Sequence, residues 1–171
     1  MTAEAHYLDA LEALEADERE EALQHARKAV KLDPEHADAW RVISDASLPG
    51  LRKQPTLKQA ASSLSAAKKV VALQPDDLAM WVRGGRLLSD ELGLYMDALQ
   101  WWQDARHHAP NEVTPIVEQA AILADMGLYG EASERLQSIF DENMDLATTQ
   151  YARVARLHQM CQLASEQPSS E

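Results

Sequence analysis

Cysteine is almost absent from this 171-residue chain, where Cys161 stands alone. That excludes an internal disulfide and a zinc site built on cysteine. Positive charge is scarce as well: 16 Lys and Arg face 28 Asp and Glu, a formal net charge of −12. A general nucleic-acid binder needs a basic surface to displace counterions from phosphate, so no nucleic-acid partner is expected. With 6 Gly and 7 Pro, the chain is neither collagen-like nor of low complexity. No run approaches the 18 or so uninterrupted apolar residues of a membrane span, and no membrane partner is expected. The opening Met1-Thr2-Ala3-Glu4-Ala5-His6 has neither a basic leader nor an apolar segment. Together with the lone thiol, this leads to the expectation of a cytoplasmic protein. What is present is 46% apolar and 26% charged residues, the balance of a folded chain.

The positive content of the sequence is a repeat. Pro34, Pro75 and Pro110 each close an amphipathic stretch of similar design, and they stand 41 and 35 residues apart. A fourth phrase, Ile139-Phe140-Asp141-Glu142-Asn143-Met144, falls 34 residues after Pro110. A period near 34 residues with helical spacing inside it signals a helical solenoid. Proline suits the junctions because it cannot continue a helix and restricts the residue before it. The third unit is the clearest. Trp81, Gly84, Gly85 and Leu88 share one face of a first helix, a turn follows at Gly93, and Tyr95, Ala98, Leu99, Trp102 and Ala105 mark a second helix. The fourth repeats the plan with Ile116, Ala120 and Leu123, a turn at Gly127, then Tyr129, Ala132, Leu136 and Ile139. Small residues on these faces let helices approach, and the tryptophans fill the gaps beside them.

The pattern Trp81-x-x-Gly84-Gly85-x-x-Leu88, Gly93-x-Tyr95, Ala98, Trp102, Ala105 and Pro110 resembles the consensus of the tetratricopeptide repeat (TPR) family. The resemblance recurs in register from about residue 4 to 163. It implies an all-α, right-handed α-solenoid of about four helix pairs. The expected units are 4–36, 37–77, 78–112 and 113–144, with a capping helix over 146–163, all within a single domain of residues 1–164 and followed by a flexible tail over 165–171. Two departures stand out. The first unit has Asp17-Glu18 where a glycine turn belongs, and residues 48–56 of the second unit replace a short turn with a longer loop.

In the family the first helix of each pair lines a concave groove that holds a peptide or a partner helix. Projected onto helical faces, the groove side carries Arg41, Asp45, Val82, Arg83, Arg86, Ser89 and Asp90, then Val117, Glu118, Ala121 and Asp125, with Tyr151 and His158 closing the end. The arginines are candidates for acidic groups of a partner, and Val82, Val117 and Ala121 for an apolar side chain. Some family members grip the acidic C-termini of heat-shock chaperones through Lys, Asn and Arg. Here Asp45, Arg83, Thr114 and Glu118 stand at such positions, so that contact is not expected. Two weaker surfaces complete the candidates. The inserted loop and the helix after it gather Arg52, Lys53, Lys58, Lys68 and Lys69, so residues 41–75 carry +5 between flanks of −7 and −10. Trp101, adjacent to the core-register Trp102, projects to the outer face or a neighbouring repeat.

Catalytic signatures are missing from the sequence. There is no Gly-rich phosphate loop, no Gly-x-Ser-x-Gly elbow and no His-Glu-x-x-His helix. His107 and His108 project about 100° apart, and His6, His25, His36 and His158 show no ligand spacing along the chain. No enzyme activity, cofactor or metal is expected. The leading expectation is a scaffold or adaptor that binds a protein or peptide in its groove. The alternatives are a self-assembling homo-oligomer and a small secretion-type chaperone.

Overall fold

The computed structural model describes residues 1–51 and 53–166. Among them the secondary structure is helical throughout, with no strand. The chain divides into two compact units, Met1–Leu94 and Tyr95–Glu171, and the division falls inside the third expected repeat, at the turn between its helices.

The first unit contains α1 (Ala3–Glu15), α2 (Arg19–Leu32), α3 (Ala37–Ser47), α4 (Leu57–Leu73) and α5 (Leu78–Arg86), which runs on into one π-helical turn over Leu87–Glu91. Each helix packs against the next, and α1 also touches α3. Local chemistry sets the boundaries. The Thr2 hydroxyl accepts from the Ala5 amide at 3.1 Å to start α1. Thr56 and Gln59 satisfy each other's amides at the start of α4. The Asp77 carboxylate accepts from the Met80 amide at 3.1 Å to start α5. The junction prolines recruit a further device. The Trp40 indole donates to the Pro34 carbonyl and the Trp81 indole to the Pro75 carbonyl, each at 2.8 Å and each six residues downstream. An orphaned carbonyl at the inter-repeat turn is thus satisfied by the first large residue of the next helix. The core around α1–α3 is mostly alanine (Ala10, Ala22, Ala26, Ala29, Ala39 and Ala46 among others) beside Leu23, Val30, Val42 and Ile43, while α4, α5 and the π-helical turn bury Leu64, Val70, Met80, Trp81, Leu87 and Leu88.

The second unit contains α6 (Tyr95–His108), α7 (Thr114–Asp125), α8 (Tyr129–Asp141) and α9 (Thr148–Ser165). Pro115 opens α7, where a missing amide costs nothing. Six residues after Pro110 stands Ile116, whose side chain has no donor and is fully buried. Ile116, Leu123, Leu136, Ile139, Val154 and Cys161 make a core of larger aliphatic side chains. The expected capping helix is present as α9, which packs on α8 and, more lightly, on α7. It carries the helix to Ser165, and residues 167–171 of the expected tail lie outside the described residues.

The turns inside the helix pairs show how the first pair, α1 and α2, does without glycine. Gly93 and Gly127 adopt φ of +64° and +79°, and Asp17 takes the same left-handed conformation at +59°. Aspartate tolerates this region better than most residues do. Here its carboxylate also accepts from Arg19 Nε at 2.8 Å.

Candidate functional site

Arg41 on α3 was expected to face a partner; it is instead the hub of an intramolecular network. Its guanidinium donates to the carboxylates of Asp38 and Asp77 and to the Gln74 side-chain carbonyl, the Nε bond to Asp77 measuring 2.7 Å. Burial works against the charge, but the hydrogen bonds and fields of Asp77 and Asp38 outweigh it, so the guanidinium holds its proton more firmly than usual. Asp77 is also the cap of α5, so the Arg41 guanidinium ties the middle of α3 to the end of α4 through Gln74 and to the start of α5 through Asp77.

Arg83 on α5 is similarly engaged. It pairs with Asp45 and reaches Ser44 Oγ at 3.4 Å. Ser44 in turn forms a fully buried reciprocal pair with Ser63 on α4. Each hydroxyl bonds the other residue's carbonyl, at 3.1 and 2.8 Å, and the two hydroxyls lie 2.9 Å apart. Val82 is half-buried. Arg86 is exposed and makes no ion pair among the described residues. Asp90 is exposed and accepts from the Ser89 hydroxyl at 2.8 Å. Asp45, Arg83 and the loop residue Lys53 share a cleft of about 360 Å³ with Leu48, Pro49 and Leu87. Lys53 and Lys58 are exposed, and Arg52 lies outside the described residues.

In the second unit one placement departs from the helical projection. Val117 is 4% exposed and belongs to the core rather than to a groove. Trp101, expected towards the outer face or a neighbouring repeat, is buried at 7% exposed. The others behave differently. Ala121 lines a largely apolar cleft of about 390 Å³ together with Ala152, Leu157 and Met160, and Arg153 and Arg156 complete the lining. This cleft lies between α7 and α9. Glu118 accepts from Arg153 Nη1 at 2.7 Å across the same two helices. Tyr151 is exposed and stands edge-on to Phe140 at 6.3 Å, with the His158 ring 6.2 Å from Phe140 on the other approach. Arg156 is exposed and makes no ion pair among the described residues.

Several residues that the sequence did not single out organise these surfaces. Arg19 Nη1 donates to the Asp45 and Leu48 carbonyls at 3.0 and 2.9 Å, closing the C-terminus of α3. Gln119, 2% exposed, donates to the Leu99 carbonyl at 3.2 Å and accepts from Arg135 at 2.9 Å, joining α6, α7 and α8 through the core. His6, Asp9 and His25, separate in sequence, meet on the first helix pair. Helical periodicity reports which way one helix faces but not which residue of another helix arrives opposite. Cys161 is fully buried and burial raises its thiol pKa, which makes it a packing residue rather than a nucleophile.

No protein-family model and no curated protein sequence matches the chain. Solved structures do. One is the crystal structure of MamA, with a TM-score of 0.61 and 13% identity over 99% of this chain and 79% of that one. The chain has a tetratricopeptide-repeat fold. TTC0263, a thermophilic TPR protein of Thermus thermophilus, superposes with a TM-score of 0.54 and 18% identity over 96% of this chain and 82% of its own. YrrB, described as a TPR protein with an unusual peptide-binding site, gives 0.56 and 17% identity over 92% and 89%. Among the described residues, no helix of this TPR chain is long and apolar enough to cross a membrane.

Proposed function

We propose that the protein is a non-enzymatic interaction scaffold that holds a segment of a protein partner against α7 and α9. The observation that carries this reading is the cleft of Ala121, Ala152, Leu157 and Met160 beside Arg156. Its walls take an apolar side chain. Arg156, the guanidinium there without an intramolecular carboxylate among the described residues, takes an acid next to that anchor. The first unit supports the reading by contrast, since Arg41 and Arg83 already hold Asp77 and Asp45. A guanidinium committed to a carboxylate of its own chain has little to offer a ligand. YrrB lends support of a weaker kind, because its fold is described as carrying a peptide-binding site.

The occupant is therefore a peptide or helix with one bulky apolar residue flanked by Asp or Glu. Selection from a displayed peptide library with the full chain tests this. Wild type should enrich that combination, and an Arg156→Glu/Met160→Glu variant should lose it by more than tenfold. Both residues are exposed, so helicity and the unfolding midpoint should stay unchanged. No enrichment, or enrichment unaffected by the variant, would sink the assignment of this cleft. A concentration-dependent mass in sedimentation that the same variant abolishes would replace the partner peptide with a second copy of the chain.

A further inference from the structure

The first helix pair carries a cluster unrelated to the α7–α9 cleft. His6 and Asp9 lie three residues apart on α1, and His25 and Glu21 lie four apart on α2, so each pair occupies one helical face. The two helices pack so that these faces meet. One ligand atom each from His6, Asp9 and His25 lies within 4.8 Å of the others. His25 Nδ1 is 3.4 Å from Asp9 Oδ2, and the two imidazole rings are 5.9 Å apart. The Nδ1 atoms of both histidines are buried and make no hydrogen bond. A buried polar atom without a partner costs stability unless something occupies its lone pair. Two such nitrogens, one of them 3.4 Å from the Asp9 carboxylate, can share a single cation.

We infer that His6, Asp9 and His25 bind a divalent transition-metal ion, with zinc the best match. Two imidazole nitrogens and one carboxylate oxygen suit a borderline-soft cation and disfavour Mg²⁺ and Ca²⁺, which prefer all-oxygen cages. Tetrahedral bonds of about 2.1 Å bring ligand atoms to roughly 3.4 Å of one another. The 3.4 Å His25–Asp9 spacing already meets that, and a small rotation of the His6 ring closes the rest. Glu21 completes the arrangement. Its carboxylate lies 3.9 Å from the other ring nitrogen of His25, beyond hydrogen-bond reach in this structure, and a small approach on metal binding lets it accept the Nε2 proton while Nδ1 holds the ion. An ion reaches the cluster through an open cleft of about 540 Å³, whose walls include Asp9, Glu12, Glu18, Glu21 and His25 and which concentrates cations. A solvent molecule fills the fourth position. The bound ion ties α1 to α2 in the one helix pair whose turn is built on Asp17 instead of glycine.

The test is zinc titration of the tag-free full chain at pH 7.5 against a chromophoric chelator, with cobalt as a spectroscopic probe. Wild type should take up one equivalent, show the visible absorption of four-coordinate cobalt, and unfold at a higher temperature with zinc than without. His6→Gln, His25→Gln and Asp9→Asn should each abolish saturable binding, and Glu21→Gln should weaken it about 10–100-fold. His107→Gln/His108→Gln should bind like wild type. Should a single-site variant fail to fold, imidazole nitrogen NMR shifts of His6 and His25 in the wild type report the same event, moving together at one equivalent. No saturable uptake, or uptake that survives His6→Gln and His25→Gln, overturns the assignment.

Discussion

The two units follow the same repeat plan and solve its packing problem differently. In the first, the core around α1–α3 is mostly alanine, so each buried side chain there contributes little apolar area and the helices come close together. Polar groups supply what is missing: Arg41 with Asp38, Asp77 and Gln74, Arg83 with Asp45, and the buried Ser44–Ser63 pair. In the second, Ile116, Leu123, Leu136 and Ile139 fill the interior, and Gln119 is the buried polar link. The lesson is that a repeat specifies helix spacing, while the residues at each contact decide whether that contact is apolar or ionic. The consequence for function follows directly. Where ion pairs hold the fold together, Arg41 and Arg83 are committed to carboxylates of the chain, and Arg86 is the exposed exception. Where aliphatic packing suffices, Arg156 is left over.

The contrast is broken most severely by creating a cavity in the second unit. Leu136→Ala, at a fully buried position, should cost about 3 kcal/mol in urea unfolding, because the surrounding large side chains cannot collapse into the space. The corresponding insult to the first unit is overpacking. Ala26→Leu should cost about 2 kcal/mol by forcing its close-packed helices apart. If Ala26→Leu were neutral, the claim of a tight small-residue core would fail.

A smaller effect isolates the ionic network. Arg41→Ala should lower stability by about 1–2 kcal/mol, chiefly because Asp77, whose side chain is 13% exposed, loses its partner. The double variant with Asp77→Ala should be less destabilised than the sum of the two singles, with a coupling of about 1 kcal/mol in a double-mutant cycle. Arg41→Lys should not restore it, since an ammonium cannot span Asp38, Asp77 and Gln74 at once. Additive single effects would show that the network contributes nothing cooperative.

The turns give the smallest differences. Gly127→Ala should cost about 1 kcal/mol, because φ of +79° is strained for any side chain although there is open space around it. At the equivalent turn of the first unit, Asp17→Gly relieves the backbone but loses an exposed bond to Arg19, for a net change within about 0.5 kcal/mol. Thermal unfolding of the two variants side by side distinguishes a turn that needs glycine from one that has found a substitute.

Much of this architecture is legible in the linear chain. The proline spacing, the small-residue faces of the third and fourth units and the glycine turns announce helix pairs, and the structure places those helices within a few residues of the expected bounds. The site was less legible. Projection onto a helical face put Ala121 and Val117 together on the groove side, whereas Ala121 lines the α7–α9 cleft and Val117 lies in the core. One helix in a stack has neighbours on two sides, so a face turned away from its own partner is not thereby turned to solvent. Arg41 reads as an exposed cation because Asp77, 36 residues away, is not its neighbour in sequence.

What the sequence determined by itself is the local order: where each helix starts, turns and stops. Amide capping, proline geometry and a 3.6-residue apolar period act over a few residues and can be read in one dimension. What only the tertiary structure decided is which side chains meet. The pairing of His6 and Asp9 with His25, the commitment of Arg41 to Asp77, and the release of Arg156 beside an apolar cleft all depend on how helices lie against one another. Electrostatic and coordinative contacts are governed by distance in space, and the chain encodes that distance only through the packing of residues far from either partner.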